Sequence, residues 1–271
     1  MAEALLQATG LCKRFGGLAA VDAVSLELQV GEIHAVIGTN GAGKSTLINM
    51  LSGEVAPSAG SVRFAGHDVT HWTQPRRARA GLGRSYQRTT IFPEFSALEN
   101  CRLAAQSRSP RAWSIWESAA RDSGGIAEAV RALEAAGLAS EAGRTAGTMS
   151  HGAKRQLEIA MCLATRPRAL LLDEPLAGMG SEETGRMLAL LDTLKASHAI
   201  LLVEHDMDAV FRVADRITVM VNGQVIASDG PERIRNDAAV RLAYLGDGHD
   251  AAPAGPASAP VAAPRPPASR P

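Results

Sequence analysis

The sequence has no excess charge of either sign and no long apolar stretch. Its 28 lysines and arginines balance 28 aspartates and glutamates, so the formal net charge is zero and nothing global points to a nucleic-acid partner. No apolar run approaches the roughly 20 residues of a membrane span, and the N-terminus lacks the basic and apolar regions of a secretory signal. We therefore expect a cytoplasmic protein whose role at a membrane depends on partner proteins.

Aromatic residues and cysteines are also scarce. Only 4% of the residues are aromatic, and the three cysteines, Cys12, Cys101 and Cys162, match no metal-ligand or redox spacing. Such thiols suit a reducing compartment, where buried thiols are inert. What the chain does have is 271 residues that are 46% hydrophobic, enough to bury a substantial core.

The one basic run in the sequence contains Arg76, Arg77, Arg79, Arg84 and Arg88. Runs of like charge usually form a solvated face, and we interpret this run in that way. It therefore does not by itself indicate a partner.

Short apolar segments alternate with helical patterns along most of the chain. Four of them are expected to be buried strands, at residues 33–37, 169–172, 199–203 and 217–221. Runs of this kind, separated by helices, indicate an α/β fold with a parallel sheet. The alternation of apolar and polar residues in 24–28 favours a small antiparallel sheet within the N-terminal 30 residues.

Between about residues 94 and 165 the strand pattern is absent. Four segments of this region favour helix, at residues 96–106, 112–121, 125–136 and 151–164. We interpret them as an inserted helical subdomain. The last stretch, residues 247–271, holds seven of the fourteen prolines among alanines and glycines, which predicts a disordered tail.

Residues 38–46 read GTNGAGKST and fit the phosphate-binding pattern G-x-x-x-x-G-K-[S/T]. They follow a predicted strand and precede a helix, which is the context that this pattern needs. Glycines let the backbone wrap a phosphate without a Cβ in the way, and the amides of residues 40–45 face it. The alternative is a glycine-rich turn that binds no ligand. The predicted nucleotide-binding residues here are Gly38, Thr39, Asn40, Gly41, Ala42, Gly43, Lys44, Ser45 and Thr46.

Four side chains have expected roles at this site. Lys44 supplies a cation for the outer phosphates, and Ser45 places its hydroxyl on Mg²⁺. The apolar run 169–172 ends in Asp173 and Glu174, so a buried strand delivers two carboxylates to the edge where ligands of open α/β sheets bind. Asp173 is expected to hold Mg²⁺ through its waters, and Glu174 to deprotonate the attacking water. The alternative is an acidic N-cap pair for the next helix.

Five stretches occur in the order and at the spacings of an ABC-transporter ATP-binding subunit. They read GTNGAGKST, SYQRTTIFPEFSALEN, MSHGAKRQLEIAMCLA, LLLDEPLAGM and LLVEHDMDAV. The sequence resembles that family over residues 5–246. The resemblance implies a P-loop NTPase (RecA-like) core at about 5–93 and 166–235, with an N-terminal antiparallel β subdomain and an inserted α-helical subdomain at about 94–165.

The resemblance assigns roles to three further side chains. Gln87 matches the family glutamine that senses the metal and the γ-phosphate and links them to the helical subdomain; the alternative is a surface glutamine. His205 matches the histidine that contacts the γ-phosphate; the alternative is a structural histidine. Phe15 lies where the family has an aromatic residue that stacks on adenine, and its alternative is a core phenylalanine.

The helix predicted from about residue 151 begins with a divergent form of the family's LSGGQ signature. The aligned residues are Met149, Ser150, His151, Gly152 and Ala153. By the resemblance, Ser150 and Gly152 contact the γ-phosphate of ATP bound to a second subunit; the alternative for Ser150 is a plain N-cap. Gly180 stands where many members have aspartate, which weakens any side-chain contact from this loop across a dimer.

The family implies a head-to-tail pair of ATPase subunits, identical or paralogous, that hydrolyses ATP bound between them. The helical subdomain receives a cytosolic helix of an integral-membrane permease, which places such a subunit on the inner face of the cell membrane. The loop LAGMG, the SHG-type signature and the ending VRLAYLGDG are similar to the branched-chain amino acid importer group. Importers of that group usually include a periplasmic substrate-binding protein.

Other proteins share parts of this pattern. Related ABC systems take up urea, amides or aromatic acids, and a lipopolysaccharide-export ATPase shares part of the ending. A soluble ABC ATPase acting on DNA or ribosomes needs a coiled-coil insertion or a second ATPase unit, and the sequence contains neither. A P-loop GTPase needs an Asn-Lys-x-Asp motif, which is absent, and a small-molecule kinase does not need Gln87, Ser150 and His205 at these positions.

Overall fold

The computed structural model describes residues 4–87, 89–108 and 123–245, which form two β-sheets and the helices around them. The strands are β1 (Leu6–Phe15), β2 (Leu18–Leu28), β3 (Ile33–Gly38), β4 (Ala59–Phe64), β5 (His67–Asp68), β6 (Leu82–Arg84), β7 (Ala169–Asp173), β8 (Ala199–Val203), β9 (Arg216–Val221) and β10 (Gln224–Asp229). The helices are α1 (Lys44–Ser52), α2 (Gln74–Arg79), α3 (Ala97–Gln106), α4 (Ser123–Ala135), α5 (His151–Ala164), α6 (Ser181–Lys195), α7 (Met207–Val213), α8 (Pro231–Asn236) and α9 (Ala238–Leu245). The predicted helix 112–121 and the predicted tail 247–271 lie outside the described residues.

The larger sheet has six strands in the order β10-β9-β3-β8-β7-β6. Neighbouring strands run parallel except β10, which pairs antiparallel with β9. Every residue of β3, β7 and β8 is buried, as expected for strands covered on both faces. The four strands predicted from apolar runs are all present, and they lie side by side in the middle of this sheet.

The smaller sheet is antiparallel and has the order β2-β1-β4-β5. The predicted alternation is present in β2, where Val24, Leu26 and Leu28 are buried and the residues between them are exposed. The N-terminal 30 residues supply only two of the four strands. The other two come from residues 59–68, which carried no recognised strand pattern.

Two buried apolar clusters lie on opposite faces of the larger sheet. Along β7, Leu170 and Leu172 belong to one cluster, while Ala169 and Leu171 belong to the other. The first cluster extends into α3, α4 and α5, which pack on one another; the second contains side chains of the smaller sheet and α1. The subdomain boundaries given above stay a prediction. None of the described helices combines the length and the apolar character that crossing a membrane requires.

The basic run does not form one solvated face. Arg76 and Arg79 are exposed on α2, but Arg77 is 1% exposed and donates to four backbone carbonyl oxygens, two of them at the end of α1. The Arg84 side chain is only 7% exposed and bonds side chains of α1 and the turn after it. The interpretation as a solvated face is therefore wrong for both residues. Arg77 is buried because the carbonyl groups at a buried helix end need protein donors, and Arg84 because its guanidinium bonds the side chains of Asn49, Ser52 and Glu54. Arg88 lies outside the described residues.

Candidate nucleotide site

The loop at residues 38–46 joins β3 to α1 and is packed too closely for side chains at two glycines. A Cβ on Gly38 would lie 2.3 Å from the carbonyl oxygen of Met220, and one on Gly43 would lie 2.3 Å from that of Ala20. Gly43 also has a φ of 100°, in the left-handed region that favours glycine. No side chain of the described residues caps the start of α1. The amides of its first turn therefore lack an intrahelical partner and face the loop.

The Lys44 ammonium is buried and folds back onto this loop. It donates to the carbonyl oxygens of Gly38 at 2.7 Å and of Thr39 at 3.1 Å. Burial lowers the pKa of Lys44, and the nearby carboxylates of Glu174 and Asp173 oppose that shift. The cation expected to meet the outer phosphates thus lies beside the predicted acidic pair.

An open cleft of about 530 Å³ follows the loop. Its lining residues are Leu18, Ala19, Ala20, Asn40, Gly41, Ala42, Gly43, Lys44, Ser45, Thr46, Gln87, Glu174 and Asn222. The structure therefore brings most of the predicted phosphate-binding loop together with Gln87 and Glu174 on one concave surface.

Phe15 is not one of these lining residues. It ends β1 and pairs with Leu18, which does line the cleft. Phe15 is 52% exposed, and the Lys13 ammonium lies 5.2 Å from its ring centroid. The alternative of a core phenylalanine is therefore wrong, and stacking on adenine stays a prediction.

β7 ends at Asp173, and Glu174 then turns the chain with a left-handed φ of 48°. The Glu174 amide donates to the carbonyl oxygen of Val203 at 2.9 Å, which fixes the turn against β8. Asp173 is 5% exposed; burial raises the pKa of its carboxyl group, and the Arg84 guanidinium 3.8 Å away opposes the shift. The alternative of an acidic N-cap pair is wrong, because the next helix, α6, has Gly180 as its N-cap.

The three predicted catalytic side chains lie together, with Gln87 and His205 on either oxygen of the Glu174 carboxylate. Gln87 Nε2 donates to Glu174 Oε2 at 3.0 Å, and His205 Nδ1 lies 3.8 Å from Glu174 Oε1. Gln87 follows β6 and His205 follows β8, and these strands flank β7 in the sheet. The side-by-side pairing of three parallel strands thus assembles residues that are far apart in the sequence.

Glu204 is a further acidic residue that the sequence reasoning missed. It is fully buried, and its carboxylate accepts hydrogen bonds from the Leu176 amide at 2.8 Å and the His205 amide at 3.2 Å. Burial raises the pKa of Glu204, and these two bonds oppose the shift. The signal that could have found it is a glutamate directly after a wholly apolar strand. Glu204 ties the loop after β7 to His205.

α5 begins after Ser150, whose hydroxyl caps the helix by accepting from the Ala153 amide at 3.2 Å. The same hydroxyl donates to Glu183 Oε1 at 3.2 Å, and the Gly152 amide donates to that oxygen at 3.2 Å. A Cβ on Gly152 would lie 2.6 Å from the Glu183 carboxyl group. Neither Ser150 nor Gly152 lines the cleft at the loop of their own chain. The start of α5 thus carries a carboxylate from α6, a contact that no local pattern indicated.

Comparison with known proteins agrees with this geometry. A family model described as ABC transporter matches residues 21–177, more than half of the chain. The chain belongs to the ABC transporter family. A second family model, described as branched-chain amino acid ATP-binding cassette transporter, matches residues 224–250. As a member of this family the chain is a nucleotide-binding ATP hydrolase, and the GTPase and kinase alternatives are wrong.

Curated relatives assign this ABC ATPase to a group within the family. It is 38% identical over 255 residues to the high-affinity branched-chain amino acid transport ATP-binding protein BraF of Pseudomonas aeruginosa. It is 39% identical over 254 residues to LivG of Salmonella typhimurium, which carries the same description. Each alignment covers 91% of this chain and all of the relative. The resemblance to the branched-chain amino acid group is confirmed.

A solved structure supports the fold. The crystal structure of the ADP conformation of an ATP-binding cassette of an ABC transporter matches with a TM-score of 0.81 and 31% identity. The match covers 90% of this chain and 100% of that chain. The expected P-loop NTPase fold is therefore confirmed.

Proposed function

We propose that this chain is the ATP-binding subunit of an importer for branched-chain amino acids, in which ATP hydrolysis drives uptake through partner permeases. The observation that carries the proposal is the meeting of Gln87, Glu174 and His205 beside the loop that holds Lys44. Binding a nucleotide needs only the loop, whereas hydrolysis needs a positioned base. The names of the relatives support the choice of substrate.

ATP lies in the cleft with its phosphates on the amides of residues 40–45. Lys44, held at the loop by two carbonyl oxygens, meets the outer phosphates. Phe15, half exposed and paired with a lining residue, stacks on the adenine ring. Lys44 lines the cleft, and Phe15 lies beside the lining residue Leu18.

The donor set beside Lys44 fits Mg²⁺. The Ser45 hydroxyl and the Gln87 side-chain carbonyl offer the oxygen ligands that this ion prefers, and the Asp173 carboxylate would hold the ion through its waters. Asp173 is buried with its guanidinium partner 3.8 Å away, and burial raises its pKa, so a divalent cation would stabilise its ionised form. When bound, Mg²⁺ would neutralise charge on the phosphates.

Glu174 acts as the general base. Gln87 Nε2 holds one carboxylate oxygen, which leaves Glu174 Oε1 to accept a proton from the attacking water. His205 is exposed and lies 3.8 Å from that oxygen, within reach of a γ-phosphate next to the water. The fully buried Glu204 holds the His205 backbone in place.

A second ATPase subunit, identical or paralogous, completes each site. Ser150 and Gly152 bind the γ-phosphate held by the partner, since their donors already accommodate an anion, the Glu183 carboxylate. Glu183 therefore has to move aside when the pair closes. The plain N-cap alternative for Ser150 is then only part of its role.

The permease docks on the helical region. A groove of about 350 Å³ lies between α2 and β6 on one side and α5 on the other, and Tyr86 and Thr90 contribute to its lining. Phe92 and Phe95, exposed with ring centroids 5.6 Å apart, follow in sequence. A cytosolic permease helix fits such a groove and holds the subunit at the inner face of the membrane. A periplasmic binding protein delivers the amino acid on the other side, and no nucleic acid takes part.

Glu174→Gln tests the hydrolytic assignment. The variant should bind ATP with wild-type affinity and lose at least about 100-fold in kcat, because the amide cannot accept the proton. Glu182→Gln, an exposed glutamate of α6, is the matched control and should keep the wild-type rate. A Glu174→Gln protein that hydrolyses ATP at the control's rate contradicts the assignment. Ser150→Arg should bind ATP yet fail to pair.

The transport assignment is tested with membranes. Permeases should copurify with the tagged full-length chain, and vesicles holding that complex, supplied with the binding protein, should take up labelled leucine or valine only with ATP. Uptake of urea, an amide or an aromatic acid instead, or association with a lipopolysaccharide-export permease, contradicts the substrate assignment. Purification without any integral-membrane partner contradicts the transport role and favours a soluble ABC ATPase.

A further inference from the structure

α5 carries a buried ion pair between Arg155 and Glu158, one turn apart. Arg155 is 7% and Glu158 5% exposed, and Arg155 Nη1 lies 2.9 Å from Glu158 Oε2. Burial raises the pKa of Glu158, which the Arg155 guanidinium and the Thr90 amide oppose. Replacing a buried ion pair by apolar side chains of similar volume is often neutral or stabilising. Stability alone therefore does not explain these two charges.

Arg155 and Glu158 both hydrogen-bond backbone groups of the segment that contains Gln87. Arg155 Nη1 donates to the Tyr86 carbonyl oxygen at 3.1 Å, and Arg155 Nη2 donates to the Gln87 carbonyl oxygen at 2.6 Å. Glu158 Oε1 accepts from the Thr90 amide at 2.7 Å. Among the described residues, Arg155 Nε has no hydrogen-bond partner, and the guanidinium bonds the backbone and Glu158 through its two terminal nitrogens.

The contacts form one continuous path between two parts of the molecule. At one end, the Gln87 side chain bonds Glu174. At the other, Arg155 lies in α5 five residues after Ser150, a rise of about 7.5 Å along the helix. A forked, planar guanidinium holding two successive carbonyl oxygens fixes the direction of that backbone better than a single ammonium does.

We infer that Arg155 and Glu158 are positioning residues for ATP hydrolysis, which set Gln87 relative to the signature end of α5. A shift of Gln87 at one nucleotide is then transmitted to Ser150, which faces the nucleotide of the other subunit. This inference rests on the proposed function of Gln87 and Ser150. It adds a mechanical link between the two sites, made by side chains that contact neither nucleotide nor metal.

The test uses the full-length chain and measures kcat, KM, ATP affinity and Tm. Arg155→Met should lower kcat about tenfold or more through misplacement of Gln87, with ATP affinity within about twofold of wild type. Arg155→Lys should recover part of the loss. Arg155→Met/Glu158→Leu should fold with a Tm near that of the wild type and still have the low kcat, which separates positioning from stability. Arg131→Met, an exposed arginine of α4, is the control and should behave as wild type.

A double-mutant cycle decides whether Arg155 acts through Gln87. In a Gln87→Ala background, Arg155→Met should change kcat by less than about twofold, because the side chain that it positions is absent. Multiplicative losses, or a wild-type kcat in Arg155→Met/Glu158→Leu, overturn the inference. If Gln87→Ala lowers kcat and the Arg155 variants do not, the inference alone is wrong. If Gln87→Ala and Glu174→Gln both keep wild-type rates, the proposed function is wrong and the inference is wrong with it.

Discussion

Two glycines of the phosphate-binding loop differ in a way that stability measurements can resolve. Gly41 and Gly43 both have left-handed backbones, with φ of 81° and 100°. A Cβ on Gly41 would meet nothing within 4 Å, whereas one on Gly43 would lie 2.3 Å from the Ala20 carbonyl oxygen in β2. Alanine at either position therefore carries the same backbone strain, about 1–2 kcal/mol, and only Gly43→Ala adds a collision with backbone.

The collision sets the expected difference. To restore an ordinary contact, the loop or β2 has to move by about 1 Å, and forced shifts of this kind cost about 1–3 kcal/mol. Gly41→Ala should thus lose about 1–2 kcal/mol in the free energy of unfolding and Gly43→Ala about 2–5 kcal/mol. Urea denaturation of both variants with the wild type measures this, and a calorimetric ATP titration should show loss of binding for Gly43→Ala. Equal losses of stability in the two variants would refute the reasoning.

Two more pairs of measurements follow from buried groups. Arg77→Met should lower the free energy of unfolding by at least about 3 kcal/mol, since four charge-assisted bonds to carbonyl oxygens are lost, whereas Arg76→Met on the exposed side of the same helix should cost less than about 1 kcal/mol. His34 is fully buried, and burial lowers its pKa to about 4. Its folded-state pKa is depressed, so its contribution to stability is complete above about pH 6.5 and falls by about 1.4 kcal/mol per pH unit toward pH 4. His34→Gln should lack that part of the acid slope in urea titrations at several pH values.

Either result can fail in a recognisable way. Equal losses for Arg76→Met and Arg77→Met would show that the carbonyl groups at the end of α1 find other partners. Parallel pH profiles for the wild type and His34→Gln would show that His34 takes up its proton in the folded state as easily as in the unfolded state.

The central sheet and the phosphate-binding loop could be predicted because their signals are contiguous. An apolar run such as 199–203 is buried on both faces wherever it lies in a parallel sheet, and residues 38–46 carry their own glycines, cation and hydroxyl. The roles of Gln87 and His205 came from the family resemblance, whereas the pairing of β6, β7 and β8, which brings both residues to Glu174, was not predicted. No local rule contains it.

The residues that escaped prediction act at a distance in the sequence. Glu183 reaches Gly152 across 31 positions, and Arg155 reaches Gln87 across 68. Arg77 belongs to a run of arginines, and such runs are usually exposed to solvent. It is buried because its guanidinium bonds carbonyl groups of another helix. Which charged residue of a run is buried depends on how other elements pack against it, and this cannot be predicted from composition.

The left-handed backbone at Glu174 affects which residues evolution can favour at this position. A non-glycine residue with a φ of 48° costs about 1–2 kcal/mol relative to glycine, and asparagine tolerates this region better than glutamate does. A library of this gene selected for folding alone should therefore accumulate glycine and asparagine at position 174. The same library selected for growth on imported substrate should return glutamate. The two selections should therefore favour different residues at position 174. The free energy of unfolding that glutamate costs there is tolerated because hydrolysis needs its carboxylate.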